Sequence, residues 1–157
     1  MTKSFCFALT VFALTAGLPG AKAQDKPADK APDKAAAPRT LKVKLSYTGA
    51  GTVDEKHKIL VFLFDSPDFI QGSVMPFSMK SAQAKDETVT FGDIDKSPVY
   101  VATVYDPAGA YDGQSPPPSG SSVGMYGTPP DKPEGVKIDE GKTAEIALHF
   151  DDTGKMP

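Results

Sequence analysis

The sequence predicts an all-β protein, an antiparallel Greek-key β-sandwich of about seven strands. Short segments alternate apolar and polar residues, as strands with one buried face do. Turn residues (Gly, Pro, Asp, Ser) separate these segments at intervals of roughly ten residues. No segment has the apolar spacing of an amphipathic helix. Many short strands without helices are typical of a sandwich of two packed sheets.

The strand at residues 98–105, PVYVATVY, is expected in the middle of a sheet because both of its faces are mostly apolar. Residues 59–64, ILVFLF, are apolar on both faces and predict a second central strand. Asp106-Pro107 ends the first strand and opens a segment, residues 106–135, with six Gly and seven Pro. This segment has no period of 2 or 3.6 and predicts a long loop, which in a small domain is usually functional or mobile.

The remaining strands are predicted from weaker alternation. Residues 41–47 place apolar side chains on one face and lysines on the other, which favours an edge strand. Residues 69–79 contain Pro76, which excludes a central strand and predicts an edge strand or a crossing loop. Three further strands are predicted by alternation and flanking turns, at residues 87–91, 136–138 and 144–150.

The domain organisation is predicted to begin with a secretory signal peptide, residues 1–23. Lys3 supplies its positive end, residues 5–18 its apolar stretch, and Ala21-Lys22-Ala23 its cleavage motif. The alternative is a retained membrane anchor, but the apolar run is shorter than the roughly 20 residues that a membrane span needs.

A Lys/Asp/Ala/Pro-rich tether, residues 24–39, is predicted to be disordered. The β-sandwich is expected at residues 40–152, and residues 153–157 are expected to fray. The predicted location is the bacterial periplasm or the exterior, with no membrane insertion after cleavage of the signal peptide.

Charge and cysteine content exclude several kinds of function. Cleavage after Ala23 removes two of the 17 basic residues and none of the 20 acidic ones, which takes the formal net charge from −3 to −5. A chain this acidic lacks the basic patch that nucleic acid or an anionic membrane would need. The one cysteine, Cys6, lies in the predicted signal peptide, so thiol nucleophiles, thiolate metal sites and redox dithiols are excluded from the mature chain.

Several short motifs resemble a known family. They are the ILVFLFD strand, the TVTFGDI segment before PVYVATVYD, and a D-x-x-G-x-x-D loop at Asp106, Gly109 and Asp112. Two more are the segment from Gly127-Thr-Pro to Glu134-Gly135 and the closing strand, turn and strand. With these motifs, residues 41–150 resemble the transthyretin-like (prealbumin-type) sandwiches related to carboxypeptidase regulatory domains. They are most similar to an uncharacterised family of short exported bacterial proteins with that fold.

The resemblance implies a sandwich fold and export, and it indicates little about activity. That family usually has an Asn-rich turn between the two aspartates, whereas this chain has Pro-Ala-Gly-Ala-Tyr, which weakens any metal role of the turn. Some transthyretin-like proteins hydrolyse a cyclic ureide and would end in a Tyr-Arg-Gly-Ser type of sequence. This chain ends in DDTGKMP, and its only arginine is Arg39 in the predicted tether.

Tyr105, Tyr111 and Tyr126 flank the predicted loop and are the candidate binding residues. Tyrosine rings beside a loop can stack on sugars or contact a partner protein. The alternative is that they pack the loop onto the sandwich. A protein or carbohydrate partner is therefore expected, with contacts through residues 106–135.

Metal binding is the second hypothesis. Asp106 and Asp112 are candidate calcium ligands, although Asp-Pro and Asp-Gly are also ordinary turn dipeptides. Copper would take thioether and imidazole ligands, and gap-filling methionines and surface histidines are the alternative. The residues of those two types considered for copper are Met75, Met79, His57 and His149.

No catalytic arrangement is recognised. The serines of residues 115–122 lack the G-x-S-x-G motif that surrounds a hydrolase nucleophile. The sequence therefore predicts an exported, non-catalytic binding or accessory module rather than an enzyme, with a periplasmic metal-binding protein as the alternative.

Overall fold

The computed structural model describes residues 37–130 and 132–157, which form an all-β structure with one 3-10 turn, Pro67–Gln71. The predicted signal peptide and residues 24–36 of the predicted tether lie outside the described residues. Among those described, no helix has the length and apolar character needed to cross a membrane. The strands are β1 (Arg39–Tyr47), β2 (Ile59–Phe64), β3 (Ser78–Ala82), β4 (Thr88–Ile94), β5 (Tyr100–Tyr105), β6 (Ser122–Met125), β7 (Gly127–Thr128), β8 (Lys132–Pro133) and β9 (Thr143–Phe150).

The four-stranded sheet has the order β3-β2-β5-β6, with antiparallel neighbours throughout. The prediction that β2 and β5 are central strands is confirmed. All six residues of β2 are buried, because the inner face packs into the main core and the outer face is also covered. A continuous apolar run is typical of a strand that is buried on both faces.

The three-stranded sheet has the order β4-β1-β9, so the prediction that β1 is an edge strand is wrong. β1 pairs antiparallel with β4 but parallel with β9, so this sheet is mixed and the prediction of an antiparallel sandwich is wrong for it. Lys42 and Lys44 are exposed on the outer face of the sheet. Side chains stand perpendicular to a sheet, so lysines on alternate positions indicate a solvent-exposed face and not a free backbone edge.

Residues 106–135 are less irregular than predicted. β6 pairs with β5 from Ala102↔Met125 to Tyr105↔Ser122, and β7 and β8 form a two-residue hairpin ladder. These strands have two to four residues, too few to produce a recognisable period. The strand predicted at residues 136–138 is reduced to an isolated bridge between Val99 and Val136, and the ambiguous residues 69–79 divide between the 3-10 turn and the start of β3.

The last residues pair with β6 instead of fraying. The Val123 N–H donates to the Gly154 carbonyl at 2.8 Å, and the Met156 N–H donates to the Ser121 carbonyl at 2.9 Å. A bridge between Ser122 and Lys155 lies between these bonds. The prediction of a frayed end at residues 153–157 is therefore wrong, because the free edge of β6 supplies partners that the sequence alone does not reveal.

One apolar core contains side chains from both larger sheets. Among its fully buried members are Leu41, Val43, Leu45, Ile59, Val61, Leu63, Val99 and Val101. Lys80 of β3 joins the edges of the two sheets, because its Nζ donates to the Thr90 carbonyl of β4 at 2.6 Å and lies 5.7 Å from the ring centroid of Phe91. A charged side chain in this position protects sheet edges from pairing with other chains.

Thr103 in β5 carries a polar atom into this core. Its side chain is fully buried, and its Oγ1 has no hydrogen-bond partner among the described residues. Because valine has nearly the same shape and no hydroxyl to desolvate, we expect Thr103→Val to raise the free energy of unfolding by about 1 kcal/mol in urea titrations. Thr90→Val, at an exposed position of β4, is the control and should change it by less than about 0.5 kcal/mol. A loss of stability in Thr103→Val would show that the hydroxyl has a partner in solution.

Candidate functional site

The outer face of the four-stranded sheet is apolar. Leu60, Phe62, Phe64 and Val104 form a second buried cluster there, which we call the outer cluster. Irregular segments cover it, and side chains from these segments and from the sheet, among them Phe69, Val74 and Tyr111, pack against the cluster. The outer face of the other sheet is polar by comparison. The sequence thus provides one sheet face that other groups must cover, and the covering segments form the walls of the candidate site.

Tyr111 lies over the outer cluster at the end of β5. Its ring centroid is 6.4 Å from that of Phe62, and its hydroxyl donates to the Ser115 carbonyl at 2.9 Å. Burial raises the pKa of the phenol, and the nearby Asp112 carboxylate adds to that rise. The ring is only partly buried, so one portion of it contacts the sheet and another remains accessible.

Asp106 shapes the turn that carries Tyr111. Its Oδ1 accepts the Ala108 N–H at 2.9 Å, and its Oδ2 accepts the N–H groups of Ala110 and Tyr111 at 2.8 and 3.0 Å. The residue is buried, with 6% of its surface exposed. Burial opposes ionisation of this carboxyl, but the three N–H groups outweigh burial and lower its pKa, with help from His57. Asp106 is therefore a buried carboxylate anion at neutral pH.

The loop before β2 lies against this turn. Asp54 Oδ1 orders the loop by accepting the N–H groups of Lys56 and His57 at 2.9 and 2.7 Å. Gly109 of the turn has a φ of 66°, and a Cβ at this position would lie 2.7 Å from the Lys56 carbonyl oxygen. Only glycine combines this conformation with such a close approach. The two loops are thus in direct contact.

A cleft of about 350 Å³ lies between the two loops, and we call it the Asp106–Tyr111 cleft. Its lining combines a buried and an exposed carboxylate, two lysines, a tyrosine ring and an aliphatic side chain. The lining residues are Glu55, Lys56, Lys58, Leu60, Asp106, Gly109 and Tyr111. Four of the seven lining residues are charged, and the volume lies within the range of sites for small ligands.

The structure separates the three predicted tyrosines. Tyr105 is 3% exposed, with its ring 4.9 Å from that of Tyr47 and its hydroxyl donating to the Thr52 carbonyl at 2.9 Å. Tyr126 is partly buried against the main core, and its N–H donates to the Val101 carbonyl. Tyr111 is the one of the three that lines the cleft.

The predicted metal ligands are also dispersed. Both Asp106 oxygens accept backbone N–H groups, and Asp112 Oδ1 accepts the Gln114 N–H at 3.0 Å, so each aspartate has a turn-stabilising role. Within residues 37–130 and 132–157, no group of three or more His, Cys, Asp or Glu residues is placed to hold a metal ion.

The candidate copper ligands lie in different parts of the fold. Met75 and Met79 are exposed. His57 contacts Asp54 at 3.0 Å, while His149 lines a second cleft of about 540 Å³ beside Pro129 and Pro130.

Sequence reasoning missed the contribution of the loop before β2. Glu55, Lys56 and Lys58 belong to a run of charged residues, DEKHK, which by itself is typical of any exposed loop. Their importance arises from contact with a turn about fifty residues later in the chain, and short-range patterns do not reveal such contacts.

Comparison with known proteins gives no match: no family model, no curated protein and no solved structure is significantly similar to this chain.

Proposed function

We propose that this protein is an exported, non-catalytic binding or accessory module that contacts its ligand through the loop that follows β5, at the Asp106–Tyr111 cleft. The observation that carries the proposal is the cleft itself. An accessible tyrosine ring, a buried carboxylate and two lysines converge there on a volume suited to a small ligand. A sugar or an exposed group of a partner protein would stack on Tyr111 and bond to the charged rim.

The fold and location form part of the same proposal. The two larger sheets share one core, which is consistent with a transthyretin-like Greek-key sandwich, and the resemblance in the sequence motifs supports that assignment. The signal-peptide pattern of residues 1–23 supports export to a bacterial periplasm or exterior.

We expect Tyr111→Ala to weaken ligand binding at the cleft at least tenfold, about 1.4 kcal/mol, because it removes the aromatic wall. The measurement is a titration followed by backbone amide chemical shifts, with maltotriose, chitotriose, an equimolar mixture of natural L-amino acids, Ca²⁺ and Cu⁺ as probes. At least one probe should shift the amides of Lys58 and Gly109. Tyr126→Ala is the matched control and should leave the affinity unchanged within twofold.

Two results would contradict the proposal. One is that no probe shifts the cleft amides. The other is that the tightest probe binds Tyr111→Ala as well as it binds the original protein. A response to Ca²⁺ or Cu⁺ alone, with shifts centred on carboxylate, histidine or methionine residues outside the cleft, would instead favour a metal-binding function.

A further inference from the structure

We infer that the Asp106–Tyr111 cleft takes a small zwitterion with an apolar side chain, the chemistry of a free amino acid. This inference rests on the proposed function, because it assigns a ligand class to the site named there. Three features of the lining carry it: a buried carboxylate, one exposed and one partly buried lysine, and the apolar surface of Leu60 and Tyr111.

The anion is the Asp106 carboxylate. An ionised carboxylate has about four lone-pair positions, and backbone N–H groups fill three of them here. Those donors carry no net charge, and Asp106 forms no ion pair within 4 Å with a Lys, Arg or His of the described chain. An ammonium group entering the cleft would use the remaining position and place a positive charge within hydrogen-bond distance of the carboxylate. A hydrogen bond between two charged groups is among the stronger ones in proteins.

The cations are Lys56 and Lys58. Neither forms an ion pair within 4 Å among the described residues, so both ammonium groups are available to a ligand. Lys58 is partly buried, and Lys56 is exposed. A ligand carboxylate at the opening would find two ammonium partners, against one carboxylate, Glu55, on the same rim.

The charges on the lining select against singly charged ligands. The four ionised side chains are two anions and two cations, so the cleft is neutral as a whole and presents charges of both signs. A ligand with only a positive charge would approach past two lysines, and a ligand with only a negative charge would approach a buried carboxylate. A molecule with both charges a few ångströms apart can pair with a carboxylate and a lysine of the lining at the same time. Such charge complementarity contributes more to specificity than to affinity.

The apolar wall consists of Leu60 and Tyr111. Leu60 is 8% exposed and belongs to the outer cluster, and the Tyr111 ring continues that surface into the cleft. An aliphatic or aromatic side chain of the ligand would lie against them. A volume of about 350 Å³ is at the small end of ligand sites, which fits an amino acid better than an oligosaccharide or a peptide.

The experiment is calorimetric titration of the purified protein with L-leucine, L-methionine and L-phenylalanine, followed by charge-deleted analogues of the tightest of them. The amide analogue keeps only the ammonium, and the N-acetyl analogue keeps only the carboxylate. We expect the parent amino acid to bind at least tenfold more tightly than either analogue. Absence of binding by all three amino acids, or equal binding of parent and analogue, would overturn the inference.

Two variants assign the charges. Lys58→Met should weaken binding of the parent amino acid at least fivefold and should not weaken the amide analogue, which loses a like-charged neighbour, whereas Lys44→Met, on the outer face of the other sheet, should change neither. Asp106→Asn should weaken the parent and the amide analogue, and it should bind the N-acetyl analogue at least as well, because a like-charged carboxylate is removed. Because Asp106 also stabilises its turn, the amide spectrum of Asp106→Asn is first compared with that of the original protein. If the turn is lost, the comparison of Lys58→Met with Lys44→Met decides the test. A Lys58→Met protein that binds the parent amino acid normally would contradict the assignment.

The failure of this inference is distinguishable from failure of the proposed function. If amino acids do not bind but maltotriose or chitotriose shifts the cleft amides in a Tyr111-dependent way, the cleft is a binding site for another class of ligand. If no probe responds at the cleft, both the ligand class and the binding function are wrong.

Discussion

Replacement of Phe91 by alanine is expected to lower the free energy of unfolding by about 3–5 kcal/mol, the range measured for loss of a large buried ring. Phe91 is 1% exposed and is among the largest fully buried side chains of the described chain. It lies on β4 opposite Leu41 of β1, and Lys80 from the other sheet extends over its ring. Its removal would leave a cavity in the core that both sheets share.

The loss of stability in Phe91→Ala should be near the upper end of that range, because the residues around the ring have little freedom to move into the cavity. β4 is hydrogen-bonded to β1, and the Lys80–Thr90 bond ties it to β3. Since a domain of this size has only about 5–15 kcal/mol of stability, Phe91→Leu, with an expected loss of about 1–2 kcal/mol, keeps the test measurable if the alanine variant does not fold.

Urea titrations at constant temperature provide the measurement, and Met75→Ala is the control. Met75 is 71% exposed, so its replacement should change stability by less than about 0.5 kcal/mol. A Phe91→Ala loss below about 1 kcal/mol would mean that β4 does not close the core as described.

The parts of the fold that could be predicted are those where local pattern decides the outcome. The apolar run of β2 required burial on both faces, and the period of two placed Val101 and Thr103 of β5 on one face. The same alternation places Tyr105 on the face of β5 that carries Val101 and Thr103. The sequence pattern therefore predicts that Tyr105 is buried and cannot be a ligand-contacting tyrosine. Alternation does not contain strand order, so the lysine face of β1 predicts an edge strand although β1 lies between β4 and β9.

Of the two loops that form the candidate site, only the turn after β5 could be predicted from the sequence. Asp106, Gly109 and Tyr111 stand together in a turn with recognisable residue chemistry. Lys56 and Lys58 join them because β2 begins where β5 ends in the antiparallel register Ile59↔Tyr105. That register follows from packing of the whole sheet, and no short-range signal in the sequence specifies it.

Replacement of Asp152 by alanine is expected to lower the free energy of unfolding by about 2–4 kcal/mol. Asp152 Oδ1 accepts the hydroxyls of Tyr47 and Ser122 at 2.6 and 2.7 Å, and its Oδ2 accepts the Ala50 N–H at 2.8 Å. Tyr47 and Ser122 are each 2% exposed, so both hydroxyls would be left buried without this acceptor, at about 1–3 kcal/mol each before relaxation. The carboxylate connects β1, β6 and the segment after β9.

The same network makes stability depend on pH at both extremes. The hydroxyls of Ser122 and Tyr47 and the Ala50 N–H lower the pKa of Asp152 from 3.8 to about 2. Because the folded-state value is depressed, this contribution is present above about pH 4 and is lost as pH falls toward 2. Burial, followed by the bond to Asp152, raises the pKa of Tyr47 from 10.0 to about 12, so its contribution is present below pH 10 and is lost as pH rises toward 12.

Chemical unfolding at a series of pH values tests the network, with Asp151→Ala as the matched control. Among the described residues the Asp151 carboxylate bonds to Thr153 alone, and these bonds lower its pKa, so that variant should lose less than about 1 kcal/mol and keep the part of the acid dependence that comes from Asp152. The stability difference between the original protein and Asp152→Ala should shrink as pH falls from about 4 to 2, because protonation of Asp152 weakens the bonds that the substitution removes. A difference that stays constant over this interval would show that Asp152 acts through packing of its side chain and not as a charged acceptor.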